Sequence, residues 1–141
     1  MNQISMLLAC LVFPFSLFAQ PVTHIIPEPV SVVQQNGYFV IDGHTTVVFN
    51  NSQKELEAAA AFLSSCIKNI SGYTLPSNKN SYKPVRLVIE KTAGLDEEGY
   101  KLIVSPAAIT IKANTKSGIV YGIQSLLQTL PQTHTNAALQ V

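Results

Sequence analysis

Residues 117–128 read Ser117-Gly118-Ile119-Val120-Tyr121-Gly122-Ile123-Gln124-Ser125-Leu126-Leu127-Gln128, the pattern of an amphipathic helix with two glycines one turn apart. Gly118 and Gly122 are four residues apart, so they share one face of such a helix. A glycine inside a helix costs about 1 kcal/mol relative to alanine. Because glycine has no titrating group, we interpret this pair as a packing feature that lets the helix backbone approach a neighbouring element closely.

Two polar side chains of the same predicted helix could serve a partner. Tyr121 and Gln124 are the residues that we consider for contact with another domain. The alternative is that both are ordinary residues at the solvent boundary or at the edge of the core.

The second half of the chain predicts three strands followed by this helix. Val85–Glu90, Tyr100–Val104 and Ala108–Ala113 are rich in β-branched and apolar residues. Ser105-Pro106 marks a turn between the last two strands, which we expect to pair antiparallel. Thr115 is placed to cap the final helix, and Pro131 is placed to stop it.

The first half predicts an extended leading segment, a hairpin and a helix. Residues 24–32 contain two prolines, which favour an extended segment at a sheet edge. Tyr38–Ile41 and Thr45–Phe49 are predicted strands joined by the turn signal Asp42-Gly43. Ser52 and Glu55 form a capping-box pattern before a helix that Gly72 ends. The order predicts an α+β fold with a single, mostly antiparallel sheet and two α-helices packed on one face.

The first nineteen residues resemble an export signal rather than part of the fold. Residues 1–19 contain no charged side chain, and Ala19 offers a small residue before Gln20. The alternative is a lipoprotein signal, because Leu7-Leu8-Ala9-Cys10 has the lipobox pattern, although Cys10 lies early in the apolar run. We predict export to the periplasm or beyond the cell, with no membrane association after signal removal. Cys66 would then be the only cysteine left, so no internal disulfide is possible.

Most active-site patterns are missing from the sequence. The net charge is +1 without a basic stripe, which argues against nucleic-acid binding. His24, His44 and His134 have no second ligand at metal-binding spacing. Asp96-Glu97-Glu98 is the only acidic cluster, and paired carboxylates are what glycosidases use. We interpret it as a solvated loop before a strand. The sequence therefore predicts no catalytic, cofactor-binding or metal-binding residue.

Four stretches resemble, in order, the domain that precedes the barrel in family 20 β-N-acetylhexosaminidases. They are Ile25–Val32, Glu98–Leu102, Ile109–Ala113 and the glycine-containing helix. The resemblance implies that a (β/α)8 barrel follows, in which a Glu is the general acid and an Asp orients the substrate acetamido group. No position of this chain matches those residues. The Asp96-Glu97 pair lacks the His and glycines that precede the family's Asp-Glu pair.

The resemblance implies a domain organisation and a function. Residues 1–19 would be a signal peptide, residues 20–131 the pre-barrel α+β domain, and residues 132–141 the start of a linker to an absent barrel. The chain would be a non-catalytic fragment of an exported enzyme that removes terminal N-acetylhexosamine from glycans without a cofactor. Its partner would be the barrel, and glycan would be bound only through that barrel. The alternative is a stand-alone envelope binding module without enzymatic activity.

Overall fold

The computed structural model describes residues 25–34, 36–131 and 139–141, and the predicted signal peptide therefore lies outside the described residues. Neither helix within these ranges combines the length and the hydropathy that a membrane-spanning helix requires. These described ranges contain six strands and two helices, in the order β1 Val40–Ile41, β2 Thr46–Val48, α1 Glu55–Ser71, β3 Pro84–Ile89, β4 Tyr100–Ser105, β5 Ala108–Ala113, α2 Lys116–Gln128 and β6 Leu139–Gln140.

The predicted α+β class is confirmed, but the main sheet is mixed rather than mostly antiparallel. Its strand order is β2-β3-β5-β4. The β2–β3 and β3–β5 pairs are parallel, and only β4–β5 is the expected antiparallel hairpin. The physical reason is the position of α1 between β2 and β3. A helical crossover returns the chain to the same end of the sheet, so the two strands run in the same direction.

The predicted hairpin across Asp42-Gly43 is wrong. β1 pairs with β6 from the end of the chain, while β2 pairs with β3. The Asp42 carboxylate accepts a hydrogen bond from the His44 N–H and forms an ion pair with Lys83, which directly precedes β3. The Ser81 hydroxyl also donates to the carbonyl oxygen of His44. The turn is thus fixed to the segment before β3, and this directs β2 away from β1.

Helix α1 begins without the predicted capping box. Its N-cap is Lys54, which makes no side-chain capping bond. The Ser52 hydroxyl donates instead to the Asn50 side chain, 2.9 Å away. The acidic side chains of Glu55 and Glu57 lie in the first turn, where their negative charges interact favourably with the positive end of the helix dipole. At the other end the prediction is confirmed, since Gly72 adopts a left-handed conformation with φ 77°.

Helix α2 begins as predicted and shares one core with α1. The Thr115 hydroxyl accepts a hydrogen bond from the Gly118 N–H, 3.3 Å away, and the helix ends three residues before Pro131. The two helices contact each other and cover the same face of the sheet. Their buried side chains join those of the sheet in one apolar cluster, which includes Leu56, Leu63 and Ile67 of α1, Val85 and Leu87 of β3, Ile109 and Ile111 of β5, and Ile119, Ile123 and Leu126 of α2.

The leading segment does not lie at a sheet edge. Residues 25–34 contain no strand. The backbone of Ile26 is instead bonded to the side chain of Gln128 at the end of α2. The segment bends at Ile26, Pro27 and Val30 instead of following a sheet edge, and its contact is with a side chain of a distant helix.

The end of the chain returns to the domain. Residues 132–138 of the predicted linker lie outside the described residues, but Leu139–Gln140 forms β6 against β1. Phe39 and Val141 exchange two backbone hydrogen bonds, each 3.0 Å long. Val141 also packs against the apolar core. The folded unit therefore includes residues beyond position 131, where the sequence pattern placed its boundary.

Candidate functional site

The glycine face of α2 lies directly on the sheet. A Cβ atom at Gly118 would be 2.5 Å from the carbonyl oxygen of Gly99 and 2.7 Å from the Cβ of Ala113. A Cβ at Gly122 would overlap the Ile111 side chain and lie 3.2 Å from the Tyr100 ring. The distances to Gly99, Ala113 and Ile111 are shorter than Cβ atoms adopt, so a side chain at either position would force its neighbours to shift.

The opposite side of α2 is a polar stripe. Ser117, Tyr121, Gln124 and Gln128 are all exposed, and their spacing of three or four residues places them on one face. Tyr121 is 40% exposed. Tyr121 and Gln124 therefore lie where a partner could contact them, and that role stays a prediction.

A shallow apolar groove runs between α1 and α2. It has a volume of about 320 Å3 and is lined by Ala58, Ala59, Phe62, Lys116, Val120 and Gln124. Phe62 is 41% exposed, whereas the Lys116 and Gln124 side chains supply polar groups at the rim. Gln124 thus borders the groove, while Tyr121 lies outside it. The groove is lined mainly by apolar side chains, which is the composition of a surface that contacts another protein.

Gln128 is a functional candidate that the sequence pattern did not indicate. The Ile26 N–H donates to its Oε1 at 2.8 Å, and its Nε2 donates to the Ile26 carbonyl oxygen at 3.0 Å. The side-chain amide thus binds the backbone as a neighbouring strand would. Residues 26 and 128 are 102 positions apart, so no local signal could predict the contact.

The acidic cluster is a solvent-exposed loop that supports α2. Asp96, Glu97 and Glu98 are all exposed, and the Asp96 carboxylate accepts a hydrogen bond from the Glu98 N–H at 3.2 Å. The Thr115 hydroxyl donates to the carbonyl oxygen of Glu97. The backbone of this loop therefore stabilises the start of α2, and its carboxylates do not line the groove between α1 and α2.

A second depression lies beside β2 and is polar. Its volume is about 290 Å3, and its lining includes Asn51, Asn78, Lys79 and Arg86. The Asn78 and Asn51 amides bond to each other, and the Asn78 Oδ1 accepts from the Phe49 N–H at 2.9 Å. These amides are thus occupied by internal contacts. Among the described residues, no cluster of three or more His, Cys, Asp or Glu side chains could hold a metal ion.

Comparisons with known proteins identify the fold. A family model described as glycosyl hydrolase family 20, domain 2, matches residues 22–141. A β-hexosaminidase from Porphyromonas gingivalis is 28% identical over 111 residues, which are 77% of this chain but only 14% of that protein.

Solved structures agree with the family match. The family 20 β-N-acetylhexosaminidase from Streptomyces coelicolor A3(2) superposes with a TM-score of 0.77 and 25% identity. The N-acetyl-β-hexosaminidase from Streptomyces plicatus gives a TM-score of 0.71 and 26% identity. Each alignment covers 86% of this chain and 25% of the relative. The chain belongs to glycosyl hydrolase family 20, whose domain 2 it carries at residues 22–141.

Proposed function

We propose that this chain is the non-catalytic domain of an exported β-N-acetylhexosaminidase that removes terminal N-acetylhexosamine from glycans. The family 20 domain 2 match, which extends over residues 22–141, carries this proposal. The relatives from Porphyromonas gingivalis and Streptomyces coelicolor, both named for hexosaminidase activity, support the reaction class. The chain spans 14% of the first and 25% of the second, so in those proteins a much larger part accompanies this domain.

The role of the domain is to support a catalytic (β/α)8 barrel through the surface of its two helices. The groove between α1 and α2 supplies apolar contact area at Phe62 and Val120. Tyr121 and Gln124 add polar groups beside it. An apolar centre with a polar rim is the usual composition of a protein interface. The helix surface is therefore the docking site for the barrel, and it makes no contact with glycan.

Purified residues 20–141 should not hydrolyse a chromogenic N-acetylglucosaminide. The carboxylates of the acidic loop are exposed and line neither the groove between α1 and α2 nor the polar depression beside β2, so neither recess offers a carboxylic acid to a bound sugar. Turnover that disappears in Asp96→Asn or Glu97→Gln would overturn the non-catalytic assignment. Tight binding of glycan by the isolated domain would instead favour the stand-alone binding module.

A chimera tests the docking role. Residues 22–141 would replace the matching segment of the Streptomyces coelicolor enzyme. Phe62→Lys should lower the unfolding temperature of the chimera more than that of the isolated domain, because a charge would then enter the interface. Ile103→Lys is the matched control, since Ile103 is also 41% exposed but lies on the outer face of the sheet. Equal effects of the two substitutions in the chimera would contradict docking through the helices.

Export is the remaining part of the proposal. It is supported by the uncharged apolar run in residues 1–19. Fusion of these residues to a reporter that is active only outside the cytoplasm should give activity and a cleaved product that begins at Gln20. A product that begins at Cys10 and incorporates lipid, both of which are lost in Cys10→Ser, would show a lipoprotein instead.

A further inference from the structure

The polar depression beside β2 carries positive charge that no carboxylate neutralises. Lys79 and Arg86 both line it, and its lining contains no Asp or Glu. The lysines that have carboxylate partners, Lys83 and Lys112, lie outside the depression. Because the net charge of the chain is only +1, this concentration of positive charge is local. The depression therefore attracts anions more strongly than the average surface of the domain does.

Three side chains of the lining have hydrogen-bond donors that no group in the described part of the chain accepts. They are the ammonium group of Lys79, the amide of Asn80 and the guanidinium group of Arg86, all on exposed residues. These donors bond to water in the free protein and are available to a ligand. Two of them are charged, and hydrogen bonds from charged donors to anionic oxygens are stronger than those between neutral groups.

The loop that carries Lys79 is fixed to β2 before any ligand binds. The Asn78 N–H donates to the Val47 carbonyl oxygen at 2.8 Å, and the Asn78 Oδ1 accepts from the Phe49 N–H at 2.9 Å. Asn78 itself adopts a left-handed conformation with φ 51°, which asparagine tolerates better than most residues. The Thr46 hydroxyl donates to the Lys79 carbonyl oxygen at 3.3 Å. A wall that is already in place loses little backbone entropy when it binds a ligand.

The sheet supplies the second cation of the depression. Val85 and Leu87 are buried in the core, so Arg86 between them lies on the outer face of β3. The register places Arg86 beside Val48 of β2, which also lines the depression. Lys79 comes from the loop and Arg86 from the sheet, and the two cations thus border the same recess.

We propose that this depression binds a tetrahedral oxyanion, namely a sulfate or phosphate group. The guanidinium fork of Arg86 matches two oxygens of such a group, and the remaining oxygens can accept from Lys79 and Asn80. A carboxylate has only two oxygens and leaves fewer acceptors for the donors of the loop. The volume of about 290 Å3 lies just below the range of about 300–1,000 Å3 that small-molecule sites occupy. No residue lines both this depression and the groove between the helices, so the proposal is independent of the docking role.

NMR titrations of the purified chain with sodium sulfate and with sodium phosphate test the site. Sodium chloride would keep the ionic strength constant, because exposed charges are screened by salt. We expect saturable shifts in the backbone amides of residues 78–81 and in the side-chain Nε–H of Arg86. Sodium acetate at the same ionic strength should cause smaller shifts at these positions. Acetate shifts as large as those of sulfate and phosphate would overturn the choice of a tetrahedral ligand.

Three charge-removing variants show whether the two cations act together. Lys79→Gln and Arg86→Gln should each raise the dissociation constant by about threefold to fivefold, since each removes one exposed charge. Lys101→Gln is the matched control, because Lys101 is also an exposed cation of the sheet but lies on β4 outside the depression. It should leave the constant unchanged, and urea midpoints would show that all three variants stay folded. Equal weakening by the three substitutions, or shifts without saturation, would reveal nonspecific attraction and overturn the proposal.

The sulfate or phosphate group could be a free ion or an ester on a sugar, and N-acetylglucosamine 6-sulfate separates these sources. A dissociation constant about tenfold or more below that of inorganic sulfate supports an ester, because a sugar ring would add contacts with Val48 and Pro84. Equal constants support the free ion, and both results support an oxyanion site. Unmodified N-acetylglucosamine should cause no saturable shift in residues 78–81. If it shifts these amides as strongly as its sulfate ester does, the charge is not what the depression recognises and the proposal fails.

Discussion

At the scale of single residues, Gly122 marks the place where α2 crosses β5 and β4. Gly122→Ala should destabilise the domain by about 1–2 kcal/mol, because the added methyl group would overlap Ile111 and crowd Tyr100. Alanine's better helix propensity, worth about 1 kcal/mol, offsets only part of this cost. Urea denaturation measures the difference. Gln124→Ala, on the exposed side of the same helix, should change the free energy of unfolding by less than about 0.5 kcal/mol. A Gly122→Ala midpoint at or above that of the wild type would contradict close packing.

Among the described carboxylates, Asp42 is the one whose shifted pKa makes the stability of the fold depend on pH. Partial burial raises the pKa of Asp42, but hydrogen bonds from Lys83 and the His44 N–H, together with the charges nearby, outweigh burial and lower that pKa below its ordinary value of 3.8. A lowered pKa in the folded state means that the carboxylate stabilises the fold above pH 3.8 and that this contribution is lost as the pH falls through the folded pKa.

The Asp42→Asn variant should therefore be less stable than the wild type at neutral pH, and the difference should narrow below about pH 4. Denaturant midpoints of both proteins, measured between pH 2 and pH 7 at one ionic strength, would follow this difference in stability. Lys83→Met removes the partner of the same ion pair and should show the same narrowing. A stability difference that stays constant over this pH range would contradict the role of the ion pair.

At the scale of elements, the sequence predicts what depends on neighbours in the chain. Helical periodicity correctly indicates α1 and α2, and the turn at Ser105-Pro106 correctly indicates the β4–β5 hairpin. Strand pairing depends on residues far apart. Asp42-Gly43 has the local chemistry of a hairpin turn, but the ion pair to Lys83 and the return of β6 decide the pairing of β1 and β2. Neither contact has a local signal.

The starts of the two helices give a matched test of capping. Thr115→Ala should cost about 1 kcal/mol of stability, because the hydroxyl accepts from the Gly118 N–H and donates to the Glu97 carbonyl oxygen. Thr115→Ser should retain most of the stability. Ser52→Ala should cost less than about 0.5 kcal/mol, since the Ser52 hydroxyl bonds to the Asn50 side chain and does not cap α1. Equal losses for Thr115→Ala and Ser52→Ala in urea denaturation would show that the capping assignments are wrong.

At the scale of the whole molecule, the two faces of the sheet differ in what covers them. The helices cover one face, and their own outer surface carries the candidate site. Tyr121 and Gln124 could be selected from the sequence because helical spacing alone separates them from the glycine face. Phe62 could not, because its place in the groove depends on how α1 packs beside α2. The part of the site on α2 can thus be predicted from the sequence of one helix, whereas the part on α1 can be identified only from the packing of the two helices.

The isolated domain should associate weakly through this helix surface. Ile119, Ile123 and Leu126 of α2 are fully buried in the domain's own core, so the apolar area in the groove between the helices comes from Phe62, Val120 and the small side chains beside them. An apolar area that water covers favours contact between copies. Light scattering of residues 20–141 should therefore show association that increases with concentration, together with binding of a dye that reports exposed apolar surface.

Phe62→Lys should reduce both signals, whereas Ile103→Lys on the outer sheet face should leave them unchanged, because the same charge is added at the same 41% exposure outside the groove. A wild-type domain that stays monomeric and binds no dye at high concentration would mean that the helix surface needs no cover, and the docking role would lose its physical basis.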